Sequence, residues 1–394
     1  MSARVRLGRA QAVLVALITM LSMAIPHQAI AAADFYTPPS PLPAGRAGDA
    51  IRFERMNYRA TLPALVRAWR VLYLSTSATG QRVAVSGAVI VPVLPYPGPR
   101  PIIGYAPGSH GLGDQCAPSR EIDAGTDTEA NLVSALLTRG WAVAVTDYEA
   151  LGTPGDHRYM VGPSAGHALL DVMRAATRLS GAGLSASAPM AVNGYSQGGQ
   201  AAGWAAQLRG GYAPELPIKG VAAGGTPADL TAVAENLEGG PEFGYVAMAG
   251  IGFDAAYPEL PFQEILTDEG RTKFDDIRDD CLSDIQSKLA NRRMNEFTTV
   301  PDLLRTPAWQ ARLGESRLGG VTPRVPMLLY HGLADVTIPI SQANALRNRY
   351  CAAGVKVQWS TYPADHVGTA VLGAVPTGNW LADRLAGRSA PTNC

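Results

Sequence analysis

The sequence predicts an α/β fold: a mostly parallel sheet with helices on both faces and an inserted, mainly helical cap. Three observations carry this. Short, nearly all-apolar runs alternate with helical patterns from about residue 101 to 223 and again from 324 to 362. Strands of that composition are buried on both faces, as in a parallel sheet. One such run passes through Gly194-Tyr195-Ser196-Gln197-Gly198 straight into a helix of small residues. Between about residues 229 and 320 the alternation stops.

The elements follow in order. Arg4, Arg6 and Arg9 precede an apolar run over residues 12–25, broken by Pro26 and followed by alanines suited to cleavage. Residues 1–33 therefore read as a secretory signal peptide, since the run is short for a membrane span. The Pro- and Ala-rich residues 34–48 are an extended lead-in. Residues 67–75 and 82–93, rich in Val, Leu and Tyr with a turn at 78–81, predict an antiparallel pair opening a mixed sheet. Residues 101–106 are a strand running into a Gly-rich loop, 107–113. A helix over 129–139 is closed by Gly140. A strand over 141–147 and a helix over 164–179 follow, then strands over 190–195 and 218–223. The segment 229–320, with its Gly-Gly-Pro and Pro-Glu-Leu-Pro stretches, reads as a helical insertion lying over the site. Residues 324–330, 340–353 and 355–362 resume as strand, helix and last strand. A final helix from about 367 is expected to be interrupted at Pro376. The expected domains are thus 34–228 and 321–394 as two parts of one core, with 229–320 as the cap.

Composition sets bounds. With 394 residues, 47% hydrophobic and 17% charged, a sizeable core can be buried. Lys+Arg and Asp+Glu both total 33, which argues against a nucleic-acid partner. Loss of the three leader arginines leaves 30 basic against 33 acidic side chains. Cys116, Cys281, Cys351 and Cys394 form an even set, which in an exported chain predicts two disulfides. The sequence alone leaves three pairings open. No Cys-x-x-Cys or His/Cys cluster suggests zinc, so no metal is expected; the serine chemistry expected at Ser196 needs no cofactor.

The turn at Ser196 carries the chemistry. A strand–Gly-x-Ser-x-Gly–helix turn is a nucleophile elbow, which exposes the hydroxyl above the sheet beside free helical N–H groups. A serine needs a base, and the base an orienting acid. On such a scaffold the acid and then the base follow the serine along the chain. Of the histidines, only His331 and His366 lie beyond Ser196. His366, read as part of the loop after the last strand, is the expected base; His331, at a strand end, is expected to be structural. Asp335, in the loop after the preceding strand, is the expected acid, and Asp365 is left to fix its loop. The expected oxyanion donors are the backbone N–H groups of Gln197 and of the loop at His110-Gly111.

These motifs resemble a known family. Gly-Tyr-Ser196-x-Gly, Asp-Gln-Cys116-Ala-Pro-Ser119, Thr146-Asp147-Tyr148-Glu149, Gly225-Thr226-Pro227, Asn-Leu-Glu-Gly-Gly-Pro-Glu-Phe over 236–243, the stretch 331–339 and Tyr-Pro-x-x-His366 look like those of the secretory lipases related to Candida antarctica lipase A. The likeness runs over about residues 34–394. It implies the α/β-hydrolase fold, a triad of Ser196, Asp335 and His366, and oxyanion donors at His110 and Gln197. It also implies disulfides Cys116–Cys281 and Cys351–Cys394, and a helical cap over an acyl tunnel. Two departures stand out: fungal members carry aspartate where this chain has His110, and a C-terminal flap beyond Cys394 is expected to be missing. The resemblance implies a serine hydrolase acting on lipid or small-molecule esters; with the leader, the expectation is a secreted monomer that touches lipid interfaces transiently. Short-chain or polyester esterases, serine peptidases, acyl transfer to a cell-envelope alcohol, and a catalytically dead binding protein remain open on the same scaffold.

Overall fold

The computed structural model describes residues 34–62 and 64–394. The signal peptide read over residues 1–33 lies outside the described residues. Among these, the strands are β1 (Ala50–Met56), β2 (Val66–Thr76), β3 (Arg82–Pro92), β4 (Ile102–Ala106), β5 (Ala142–Glu149), β6 (Met190–Tyr195), β7 (Ile218–Gly224), β8 (Met327–Gly332) and β9 (Val357–Tyr362). They form one sheet in the order β1-β2-β3-β5-β4-β6-β7-β8-β9. The pairs β1–β2, β2–β3 and β3–β5 are antiparallel; β5, β4, β6, β7, β8 and β9 run parallel. The expected mixed, mostly parallel sheet is what forms.

Alternate side chains of the central strands feed two cores, because successive residues of a strand point to opposite faces. Val192, Ala144 and Ile102 join one core; Ala191, Val145 and Ile103 join the other. Helices α1 (Pro118–Ala124) and α2 (Ala130–Leu137) cover the second face. Helices α3 (Gly162–Arg178) and α4 (Gln197–Tyr212) cover the first.

Between β7 and β8 the named elements are helices: α5 (Leu230–Leu237), α6 (Gly244–Ala256), α7 (Phe262–Ile265), α8 (Asp268–Asp276), α9 (Leu282–Leu289), α10 (Met294–Phe297) and α11 (Pro307–Glu315), with a 3-10 turn at Leu303–Arg305. Their core, built on Phe243, Phe253, Phe262, Phe274, Phe297 and Trp309, also takes in Leu112, Tyr159, Met160, Val161 and Ile338. Helix α12 (Ile340–Ala352) then joins the first face and α13 (His366–Leu385) the second.

The disulfides are Cys116–Cys281 and Cys351–Cys394. The first ties the loop after β4 to the start of α9, where Gly111 and Cys281 also form a β-bridge. The second draws the tail along β9, the last strand of the sheet. There Asn393 N–H donates to Val357 O at 3.1 Å, and its side chain bonds the N–H and carbonyl of Trp359 at 2.7 and 2.9 Å.

Two expectations need correction. Helix α13 is continuous through Pro376. A proline removes one bond to the fourth residue back; here both Pro376 and that residue, Leu372, are exposed, so water can take up the freed carbonyl. His366 opens α13 instead of lying in a loop, with Asp365 as the N-cap accepting from Gly368 N–H.

Candidate active site

Ser196 sits at φ 59°, ψ −121°, between β6 and α4. Such a conformation is strained for a residue with a Cβ and persists only where its surroundings over-determine it. The glycines make this turn sterically feasible. A Cβ on Gly198 would lie 1.9 Å from Ala106 O, and one on Gly194 2.1 Å from Gly198 O. Neither position admits a side chain, so the elbow packs directly on the end of β4.

His366 Nδ1 donates to Asp335 Oδ2 at 2.7 Å, and its Nε2 lies 2.9 Å from Ser196 Oγ, positioned to accept the hydroxyl proton. The other carboxyl oxygen of Asp335 accepts from Ile338 N–H at 2.8 Å. His331 donates from Nε2 to Ile338 O at 2.7 Å and reaches 3.3 Å from Asp335 Oδ2. Burial lowers the pKa of His331, and this keeps it neutral beside the acid. The structure thus brings Ser196, Asp335 and His366 together and leaves Asp365 outside as a cap.

Gln197 occupies the first position of α4, so its N–H has no partner within that helix. Its side chain donates to His157 Nε2 at 3.2 Å, while His157 Nδ1 donates to Glu149 O at 3.0 Å. Burial pushes His157 down to about 4, which leaves Nε2 free to accept. No spacing in the sequence marks His157; only the fold brings it to the elbow.

His110 lies in the loop after β4 that abuts α4. Its imidazole turns away into an acidic cluster: Nδ1 donates to Gly108 O at 2.9 Å, and Nε2 lies 3.2 Å from Asp127 and 3.5 Å from Glu121. Burial alone would lower this group, but the bonded Asp127, with Glu129 and Glu121 behind it, pushes it up to about 10. Glu129 braces the same loop, accepting from Gly108 N–H at 2.9 Å and from Tyr105 OH at 2.7 Å. His110, Glu121 and Asp127 place three metal-ligand atoms within 4.8 Å of one another. The imidazole is already engaged as an ion pair there.

A cavity opens from Ser196 and Gln197 into the inserted helices. It holds about 710 Å³ of free space, counting its open mouth, and its walls include Leu230, Val233, Leu237, Val246, Phe253 and Ile338. The arrangement offers a hydroxyl, a base and an acid in bonding sequence at the end of an apolar chamber.

A serine on a strand–helix elbow, in a mostly parallel sheet covered on both faces, defines the α/β-hydrolase class. The fold matches that of Candida antarctica lipase A in its closed state with a TM-score of 0.82 over 92% of this chain and 89% of that one, at 23% identity. The chain belongs to the secretory lipase family, whose profile matches residues 118–393. A relative from Mycobacterium tuberculosis, named a probable inactive lipase, is 32% identical over 90% of this chain and 82% of its own length. A secreted triacylglycerol lipase of Malassezia globosa is 29% identical over 91% of this chain and 82% of its own.

Proposed function

We propose that this protein is a secreted serine hydrolase that cleaves carboxylic esters, with triacylglycerols as the substrate class, through Ser196, His366 and Asp335. The observation that carries the reading is the pair of bonds made by His366, 2.7 Å to Asp335 and 2.9 Å to Ser196, at the mouth of an apolar cavity. Ser196 Oγ attacks the ester carbonyl carbon as His366 Nε2 takes its proton. The Gln197 N–H, with a second donor from the main chain at His110, meets the oxyanion. Each such donor contributes roughly 3 to 4 kcal/mol in one mutated hydrolase. His366 returns the proton to the departing alcohol, leaving an acyl-enzyme. Water, deprotonated by the same imidazole, releases the fatty acid.

Residues 229–320 act as a cap whose inner wall receives the acyl chain, and residues 1–33 direct export. The apolar walls favour long acyl chains over a short-chain esterase reading. The name of the Mycobacterium tuberculosis relative describes that protein; in this chain the bonded serine, imidazole and carboxyl support turnover.

The test is initial rate on nitrophenyl esters of increasing chain length and on emulsified triolein, for wild type and Ser196→Ala. Turnover that extends to triolein and is lost in the mutant supports a lipase. Turnover confined to short chains moves the function to an esterase. A wild type that neither turns over esters nor reacts at Ser196 with a phosphonate leaves a binding protein.

A further inference from the structure

Six of the twelve large hydrophobic side chains exposed among the described residues fall in two short stretches, Leu333 and Val336 in the loop after β8, and Val367, Val371, Leu372 and Val375 on α13. Their exposure runs from 51% to 78%. Val367, Val371 and Val375 recur every four residues, so they line one side of the helix over about 12 Å. An exposed helix face ordinarily carries charge. Here no Asp, Glu, Lys or Arg occurs from residue 366 to 382.

The stretches belong together. Leu333 N–H donates to Tyr362 O at 2.8 Å and Ala334 N–H to Ala364 O at 3.1 Å, which holds the loop against the start of α13. The loop 333–336 also leads directly to the chamber. Leu333 and Val336 face outward, while Thr337 and Ile338, the next residues of the same loop, line the cavity. The other main group of exposed apolar side chains, Leu62, Leu65, Val93 and Leu94, sits by the start of β2 and the end of β3. That is the opposite end of the sheet from Ser196, so it cannot guide substrate to the site.

We infer that the outer side of α13 and the loop 333–336 form the docking surface by which this protein lies on a neutral lipid–water interface and feeds the cavity. The inference rests on the ester-hydrolase reading. Contiguous exposed apolar surface beside a binding cavity marks an interaction face. Surface-lying segments that seek anionic lipid carry Lys and Arg; the strip has neither, so an uncharged ester droplet fits it. No helix among the described residues is long and apolar enough to cross a membrane, so contact is at the surface.

The test measures adsorption to triolein emulsion and to phosphatidylcholine vesicles in a Ser196→Ala background, which leaves the interface undigested. The pairs Val371→Glu with Val375→Glu and Val371→Lys with Val375→Lys are expected to lower partitioning at least tenfold. In the Ser196 protein the same pairs should leave turnover of dissolved nitrophenyl butyrate within twofold. The milder pair Val371→Gln with Val375→Gln, which any loss of folding in the charged pairs would make decisive, should lower partitioning at least threefold. A parent that does not adsorb, or variants that adsorb as the parent does, would overturn the inference. So would a parent dimer, seen by sedimentation, that the variants dissociate. Adsorption that the pairs abolish, in a protein without ester turnover, would keep the docking surface and sink the hydrolase reading.

Discussion

Tyr195 holds the main chain of His366: its hydroxyl donates to the His366 carbonyl at 2.6 Å, and the two rings lie 5.0 Å apart. The residue before Ser196 thus fixes the start of α13, and with it the imidazole that faces Ser196. The elbow and His366 are one mechanical unit, although 170 residues separate Ser196 from His366.

Tyr195→Phe keeps the ring and deletes that bond. A hydrogen bond of this kind contributes about 1 kcal/mol net. The expected result is a roughly fivefold fall in kcat on a dissolved ester with KM unchanged, read by steady-state kinetics. A lower melting temperature with unaltered kcat would make Tyr195 a stability residue only.

Asp335→Asn keeps the shape of the acid and removes its preference for the Nδ1–H tautomer of His366. Loss on the order of 10⁴ in kcat is expected, the size seen in one studied Ser-His-Asp enzyme. The melting temperature should change little, because the Asn oxygen can still accept from Ile338 N–H. A loss below tenfold would mean that Asp335 is not the orienting acid.

The two disulfides should separate in their effects. Each typically contributes roughly 2 to 4 kcal/mol. Replacing Cys116 and Cys281 by alanine frees the loop that carries His110 from α9, so both stability and kcat should fall. Replacing Cys351 and Cys394 should lower stability alone. Equal kcat in both variants would detach the first bridge from the site.

Two buried histidines predict stability falling on both sides of neutrality. His157, held at about 4, favours the folded state above the ordinary imidazole value of 6.5, and that contribution is lost as pH falls towards 4. His110, held at about 10, contributes fully below 6.5 and loses its contribution as pH rises towards 10. Each histidine can change stability by at most about 1.4 kcal/mol per pH unit in its window. Melting temperatures between pH 7 and 10 should therefore fall less steeply in His110→Asn than in wild type.

What the sequence made legible was periodic or punctuated. Met190–Tyr195 and Ile340–Ala352 could be read closely because apolar runs and glycine or proline boundaries mark them. β1 escaped because Arg52, Glu54 and Arg55 give an edge strand with a solvated side the look of a loop. α1 is too short for a helical period to declare itself. That Ser196, Asp335 and His366 would lie together was legible from the elbow motif, chain order and loop positions. His157, Tyr195 and the His110–Asp127 pair were not, since each acts through a partner that only the tertiary fold supplies.

The tail clipped to β9 also guards an edge. A terminal strand of a sheet offers unpaired N–H and C=O groups that can recruit a strand from another molecule. Asn393 occupies the outer groups of Val357 and Trp359, and Cys351–Cys394 keeps it there. One asparagine and one covalent link thus blunt the template. Under reducing conditions that guard would loosen, and the protein would gain a route to intermolecular β-pairing.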